Sequence, residues 1–285
     1  MLFIWFQRLL PARLLAWFIY RITRSRKSWL KNGLIRGFVR LYRVDTSEAA
    51  LPVPEGYASF NAFFTRSLRA GARPLDPESR AILCPADGVI QQIGELNHDA
   101  ILQVKGVSYS AADLLGGTDE AERFYGGSFV TIYLAPWNYH RVHSPLAGNV
   151  RTMTHIAGEL WSVNATTARH VPGLFARNER LVCQCEGDAG AFAVVLVGAL
   201  NVGSMSAAWC GEVVPRSPQS PARIAYPPDQ APRLDRGGEL GQFNMGSTVV
   251  VLLPPGAARW HSTLAAGTAV SMGTAIGMLT DRRPQ

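Results

Sequence analysis

Three residue types that build an activated nucleophile occur along this chain in the order Asp, His, Ser. Asp87 lies in Pro85-Ala86-Asp87-Gly88-Val89-Ile90. His140 and His143 stand three apart in Ala135-Pro136-Trp137-Asn138-Tyr139-His140-Arg141-Val142-His143-Ser144-Pro145. Ser247 falls in Asn244-Met245-Gly246-Ser247-Thr248, which opens onto the aliphatic run Val249 to Leu253. A serine hydroxyl becomes nucleophilic when a base takes its proton, and a carboxylate orients that base. Imidazole titrates in the range that acid and base catalysis needs. Ser247 has no Gly-x-Ser-x-Gly elbow around it and leads into a strand, with no strand-to-helix signal. The electrophile nearest to its hydroxyl is the carbonyl of Gly246, a residue whose backbone is open to close approach.

Taken singly, each feature has a plainer reading. Gly-Ser-Thr before a strand is a turn, and an aspartate between proline and glycine binds its own backbone. A pair of histidines is half a metal site, an acid/base pair or two satisfied hydrogen-bond partners. No third ligand accompanies the pair at metal spacing, because His155 and His170 stand alone among strand and loop residues.

The elements that must position these groups are mostly strands. The chain has 285 residues, is 47% hydrophobic and carries 27 Gly and 18 Pro, a composition suited to a turn-rich, strand-rich body. Strands are predicted on either side of a turn at Asp87 within Ile82–Ile90, and at Ile101–Val104, Ser128–Leu134, Gly148–Thr154, Gly158–Val163, across Ala191–Met205 and after Ser247. Short helices are predicted after Ser59 and Ser110, both placed to cap. Residues 215–236, rich in Pro and Arg, read as an exposed loop. The expected fold class is α+β: a mostly antiparallel β body, sandwich- or barrel-like, with an N-terminal amphipathic helical segment. The four cysteines, Cys84, Cys183, Cys185 and Cys210, make no zinc or disulfide framework and point to a reducing compartment.

Charge divides the chain. Of its 28 Lys and Arg, ten lie in residues 1–44, which contain no Asp or Glu; the remaining 18 face 21 acidic residues. The same 44 residues are crowded with Leu, Ile, Phe, Trp and Tyr, but Arg8 and Arg13 interrupt the apolar run well short of the roughly 20 residues a spanning helix needs. Apolar residues from Trp29 to Tyr42 recur at helical spacing with Lys and Arg between them. This is the pattern of a helix lying in a membrane interface, where each basic residue near an anionic leaflet contributes about 1 kcal/mol. The aromatic content beside the charge argues against nucleic acid as the partner. Residues 1–44 are therefore read as a membrane-association segment and 45–285 as the catalytic part.

Five blocks in this order make the chain resemble the bacterial, membrane-associated phosphatidylserine decarboxylase proenzymes. They are Phe60-Asn61-Ala62-Phe63-Phe64-Thr65-Arg66, Pro85 to Ile90, Tyr139 to Pro145, Leu174-Phe175-Ala176-Arg177-Asn178-Glu179-Arg180 and Gly246-Ser247-Thr248. Two positions depart from the family's pattern. Met245 stands where Leu or Val is common, a near volume-conserving change. Asn138 stands where Asp is frequent, which alters the charge beside His140.

The resemblance implies a precursor that cuts itself between Gly246 and Ser247, giving a large chain 1–246 and a small chain from 247. Asp87 would orient His143, His143 would take the Ser247 proton, and Ser247 would become a covalent pyruvoyl group. That cofactor would form a Schiff base with phosphatidylserine and act as the electron sink for decarboxylation to phosphatidylethanolamine. His140 is the candidate proton donor and Ser162 a candidate for holding the substrate carboxylate. The implied location is the cytoplasmic face of the cell membrane, peripherally bound. The partners are the phospholipid, the two chains with each other, and a homodimer left open. The alternatives are a pyruvoyl decarboxylase acting on another amine-bearing lipid or an amino acid, a serine hydrolase using Asp87, His143 and Ser247 on an external ester, and a non-catalytic membrane scaffold.

Overall fold

Val249 to Leu253 read as one unbroken apolar run because the strand they belong to is covered on both faces. The computed structural model, which describes residues 12–187, 190–200, 204–213, 222–245 and 247–280, sets Ser247–Leu253 inside a nine-stranded antiparallel sheet. It pairs with Ser128–Leu134 on one side and with Gly190–Gly198 on the other, so that Ser247 lies opposite both Leu134 and Gly198. From Gly190–Gly198 the sheet continues through Arg180–Gly187 and Gly148–Ile156 to Ala222–Ala225. Beyond Ser128–Leu134 it continues through Gly88–Glu95 to Ala269–Val270. The sheet stays open, which settles the sandwich-or-barrel alternative in favour of open layers.

A second, four-stranded sheet runs Gly211–Val213, Met205–Ala207, Glu239–Phe243, Arg141–His143. The chain changes sheet twice in one place. It leaves the large sheet at Leu134 and enters the small one at Arg141; it leaves the small sheet at Phe243 and re-enters the large one at Ser247. The Phe243 amide donates to the His140 carbonyl at 3.1 Å and ties the two crossovers together. His140, His143 and Ser247 fall on or at the ends of these crossovers, whereas Asp87 sits in the turn before Gly88–Glu95 and Ser162 in the stretch before Ala165–His170.

Helices α1 (Ala12–Thr23) and α2 (Ser28–Tyr42) precede the sheets. Helix α3 (Phe60–Phe64) is capped by the Ser59 hydroxyl, which accepts from the Ala62 amide at 3.1 Å. Phe60, Phe63 and Phe64 form a separate buried cluster with Ile35 of α2, Val44 and Tyr57, and Met245 packs against its edge. Each such ring contributes roughly 1.5–3 kcal/mol by burial. The cluster fastens α2 to the segment that carries Ser247, and it explains why Met serves at position 245 as well as Leu or Val. Helix α4 (Ala111–Leu115) is capped by Ser110, as predicted.

Two expectations are corrected. Gly158–Val163 is an irregular stretch with one bridge from Glu159 to Asn178, because Gly158 lies so close to the backbone of 177–179 that no regular partner strand fits. Within the predicted loop 215–236, Ala222–Ala225 and Arg233–Leu234 add to Gly148–Ile156. Among the described residues no helix is long and apolar enough to cross a membrane. The four cysteines are free thiols, three of them buried.

Candidate active site

Ser247 is buried at the start of its strand, and its Oγ makes no hydrogen bond among the described residues. Gly246, the predicted point of cleavage, lies outside the described residues. A buried hydroxyl without a partner is uncommon in a native protein and calls for a functional account.

His140 is fully buried, with its ring 4.0 Å from that of Phe64. Its Nδ1 lies 2.8 Å from the Asn138 carbonyl. A carbonyl only accepts, so in the neutral ring Nδ1 carries the hydrogen and Nε2 keeps its lone pair. That Nε2 is buried and has no partner. Burial, with a smaller push from the nearby Arg66 charge, holds the pKa of His140 down to about 3 against the Asn138 carbonyl, which raises it. His140 is thus a neutral acceptor, and to donate at Nε2 it must first gain a proton. Asn138 uses its side-chain oxygen to accept the Ala135 amide at 2.8 Å, closing the turn that presents His140. A carboxylate oxygen would do the same, so Asn in place of Asp leaves this turn intact.

His143 has both ring nitrogens engaged. Nδ1 lies 2.8 Å from the Gly237 carbonyl, and the Tyr139 hydroxyl lies 3.0 Å from Nε2. By the same logic Nδ1 donates and Nε2 accepts from Tyr139. Burial lowers the His143 pKa, and the Asp87 charge works weakly against that shift.

Asp87 does not bind its own turn. Arg73 Nε donates to both of its oxygens, at 2.9 and 3.1 Å, and Arg73 Nη2 donates at 2.6 Å. The Met272 amide donates to Oδ1 at 2.9 Å. Arg73 also holds Glu48, at 2.8 and 2.9 Å, and these bonds raise its own pKa. The described hydrogen bonds place no link between Asp87 and His143, or between either histidine and Ser247. The Asp87 turn nevertheless adjoins His143, whose amide donates to the Pro85 carbonyl at 2.8 Å. The structure therefore gathers Asp87, His140, His143 and the crossover to Ser247 in one region, with the imidazoles held by other partners.

Ser162 makes no described hydrogen bond to Asp87, His140, His143 or Ser247. Its Oγ is 2.6 Å from Thr167 Oγ1, next to the Asn164 cap of the short helix Ala165–His170. Asn178 connects this stretch to the site: its amide donates at 2.8 Å to the Trp161 carbonyl and at 2.8 Å to that of Gly198, the residue opposite Ser247. Arg180 is wholly occupied with carbonyls, including Leu114 at 2.7 Å and Asn178 at 3.0 Å. The Arg-Asn-Glu-Arg block is scaffolding for the Ser247 end of the sheet.

The sequence reading singled out neither Arg73 with Glu48 nor Tyr139 nor Arg66 for a role. Arg73 and Glu48 stand in turns without a periodic signal. Tyr139 and Arg66 lie inside the blocks that carry the family resemblance, and the signal at Arg66 is a lone arginine closing the aromatic run Phe60 to Phe64.

The phosphatidylserine decarboxylase family model matches residues 60–278, and a second model, described as PSD, matches residues 2–43. Proteins named phosphatidylserine decarboxylase proenzyme align over nearly the whole chain. One from Methylococcus capsulatus is 48% identical over 277 residues, covering 97% of this chain and 96% of its own. One from Azotobacter vinelandii is 49% identical over 279 residues, covering 97% of each. One from Bordetella petrii is 51% identical over 251 residues, covering 87% of each.

Proposed function

The chain belongs to the phosphatidylserine decarboxylase family, and we propose that it converts phosphatidylserine to phosphatidylethanolamine after cutting itself between Gly246 and Ser247. The observation that carries this reading is the Ser247 Oγ, buried and unbonded at the head of the strand Ser247–Leu253.

In the first stage His143 Nε2 takes the Ser247 hydroxyl proton once Tyr139 has moved aside. The Ser247 oxygen bonds to the Gly246 carbonyl carbon, the peptide C–N bond breaks, and the proton passes to the released amine. Elimination frees the Gly246 carboxylate, and hydrolysis of the remnant of residue 247 releases ammonia and leaves the pyruvoyl group. Losing Oγ at this position strands no partner, because it has none. Asp87 acts through the turn that binds His143 and through its negative charge. Arg73 and the Met272 amide keep that charge in place.

When formed, the pyruvoyl group supplies a ketone that takes up the substrate amine and receives the electron pair left by carbon dioxide. The chain's own residues manage the protons and the binding. His140 Nε2, a bare buried acceptor, is placed to hold a proton for the carbon that has lost carbon dioxide, once the anionic substrate beside it favours the charged ring. Ser162, next to Trp161, which shares Asn178 with Gly198, is the candidate for meeting the substrate carboxylate.

Residues 1–44 are proposed to lie on the cytoplasmic face of the membrane, with residues 45–285 as the catalytic part. Leu14, Trp17 and Phe18 of α1 and Trp29 and Leu41 of α2 are exposed large apolar side chains, a surface suited to an acyl–headgroup boundary. Denaturing electrophoresis with intact mass tests the central claim. Two fragments are expected, the smaller starting with a blocked residue 247, and Ser247→Ala should stay whole. An active enzyme running as a single 285-residue chain would overturn the self-cleavage reading and restore the serine hydrolase.

A further inference from the structure

Arg66 is the one group at this site whose charge the reaction scheme above leaves unused. It is 96% buried, its Nε is enclosed without a hydrogen-bond partner, and no described carboxylate lies within ion-pair distance of it. Its described side-chain contacts are a 3.4 Å bond from Nη2 to the Trp137 carbonyl and the face of Phe63, 5.2 Å from the guanidinium carbon. A buried guanidinium is ordinarily matched by an acceptor, since desolvating it is costly. Glu48, Arg73 and Asp87 together carry one net negative charge nearby. That offsets the field of Arg66 but gives it no acceptor, because both carboxylates are turned to Arg73.

The position of Arg66 suits the entry of a headgroup. Its Nη2 bonds the carbonyl of Trp137, a half-exposed residue whose ring is 6.2 Å from Tyr42 at the end of α2, next to the exposed Leu41. On the inner side it is close enough to His140 for its charge to act on that ring. Resting on the proposed function, we propose that Arg66 binds the phosphodiester of the lipid headgroup.

The substrate has two anionic groups, and the chemistry selects between them. The carboxylate must lose its charge as carbon dioxide leaves, so an arginine clamped on it would stabilise the ground state against the reaction. The phosphodiester keeps its charge from substrate to product. Holding it contributes binding at a remote, unreacting part and anchors the amine near Ser247 and His140. A planar guanidinium matches two phosphodiester oxygens, which an ammonium does not.

The test uses the full-length, self-processed enzyme and the variant Arg66→Lys, which preserves the charge and hence the balance with Glu48, Arg73 and Asp87. Cleavage on a gel and the melting temperature should match wild type. The KM for phosphatidylserine in mixed micelles should rise about tenfold, with kcat changed less than about threefold. Glycerophosphoethanolamine should compete with substrate in wild type and lose about tenfold in Arg66→Lys, whereas ethanolamine should compete with neither enzyme at the same concentrations. An unchanged KM and unchanged competition in Arg66→Lys would overturn the proposal, leaving Arg66 a charge-balancing residue. Equal competition by inorganic phosphate would mark a bare anion site and overturn it too. Failure of the wild type itself to decarboxylate phosphatidylserine would instead overturn the function on which the proposal rests.

Discussion

Tyr139 donates its hydroxyl hydrogen to His143 Nε2 across 3.0 Å. With Nδ1 spent on the Gly237 carbonyl, Nε2 is the sole lone pair available to take the Ser247 proton, and Tyr139 occupies it. A neutral hydrogen bond contributes about 0.5–1.5 kcal/mol net. Tyr139→Phe should therefore self-cleave roughly 2- to 10-fold faster in a time course from freshly refolded precursor, whereas His143→Ala should not cleave. Slower cleavage by Tyr139→Phe would show that the hydroxyl orients the base.

The same burial gives the pH dependence of cleavage a definite sign. Neutral His143 is the working base, and burial shifts its pKa below the usual imidazole range. A lowered pKa keeps the ring deprotonated in milder acid. The cleavage rate should stay near its plateau down through pH 6.5, the ordinary imidazole midpoint, and fall at more acid pH. A midpoint above that value in a rate–pH profile would contradict the buried setting of His143.

Arg73 bridges two carboxylates, and the Asp87 side of that bridge is buried. Removing one partner of a buried pair leaves an uncompensated charge, at a cost of about 3 kcal/mol. Arg73→Met should lose about that much stability in denaturant unfolding and cleave slowly. Arg73→Met with Asp87→Asn should recover part of the stability without recovering cleavage, because the charge near His143 stays absent. Equal loss in single and double variants would mean that the Arg73–Asp87 pair is not the source.

Asn244, two residues before Gly246, is held by a network that reaches the N-terminal helices. Its amide donates to Ser204 Oγ at 2.8 Å and to Ser206 Oγ at 3.2 Å, and its oxygen accepts from Asn61 of α3 at 3.2 Å. Ser204 and Arg24, just past α1, both donate to Glu212. Asn244→Ala should cleave about tenfold more slowly, on the scale of one or two lost buried hydrogen bonds. Enzyme already cut should decarboxylate normally per pyruvoyl group, which a carbonyl-specific label can count. A normal cleavage rate would remove Asn244 from the positioning of Gly246.

Membrane attachment makes a separate claim on α2. Trp29 and Leu41 are 75% and 73% exposed. Replacing both with Ser should sharply reduce the fraction sedimenting with anionic vesicles, and raising the salt should weaken what remains by screening the basic residues. Vesicle binding equal to wild type would place the contact elsewhere.

Much of the site was legible in the residues because chemistry constrains type and order more tightly than fold does. Flanking prolines, glycines and strand signals mark Asp87, His140, His143 and Ser247 as candidates, the order of the five blocks joins them into one site, and all four sit at or beside the double crossover between the sheets. Ser59 and Ser110 announced their helices because a cap is a local hydrogen bond. Val249 to Leu253 announced a covered strand because burial on both faces removes the polar alternation. The basic, acid-free N-terminus needed only counting.

Pairing across the chain was decided by the tertiary structure alone. Nothing local links Arg73 to Asp87 or Asn61 to Asn244, since these contacts follow from how distant segments are brought together. Gly158–Val163 shows the limit in the other direction: its apolar pattern suits a strand, and Gly158 lying hard against the backbone of 177–179 prevents one. Burial did the rest. It made His140 a neutral acceptor rather than a ready donor, and it left the Arg66 Nε without an acceptor among the described residues. The sequence by itself determined which groups this protein has for chemistry. Only the fold decided which of their lone pairs and hydrogens remain free, because hydrogen-bond partners and solvent are allotted in three dimensions.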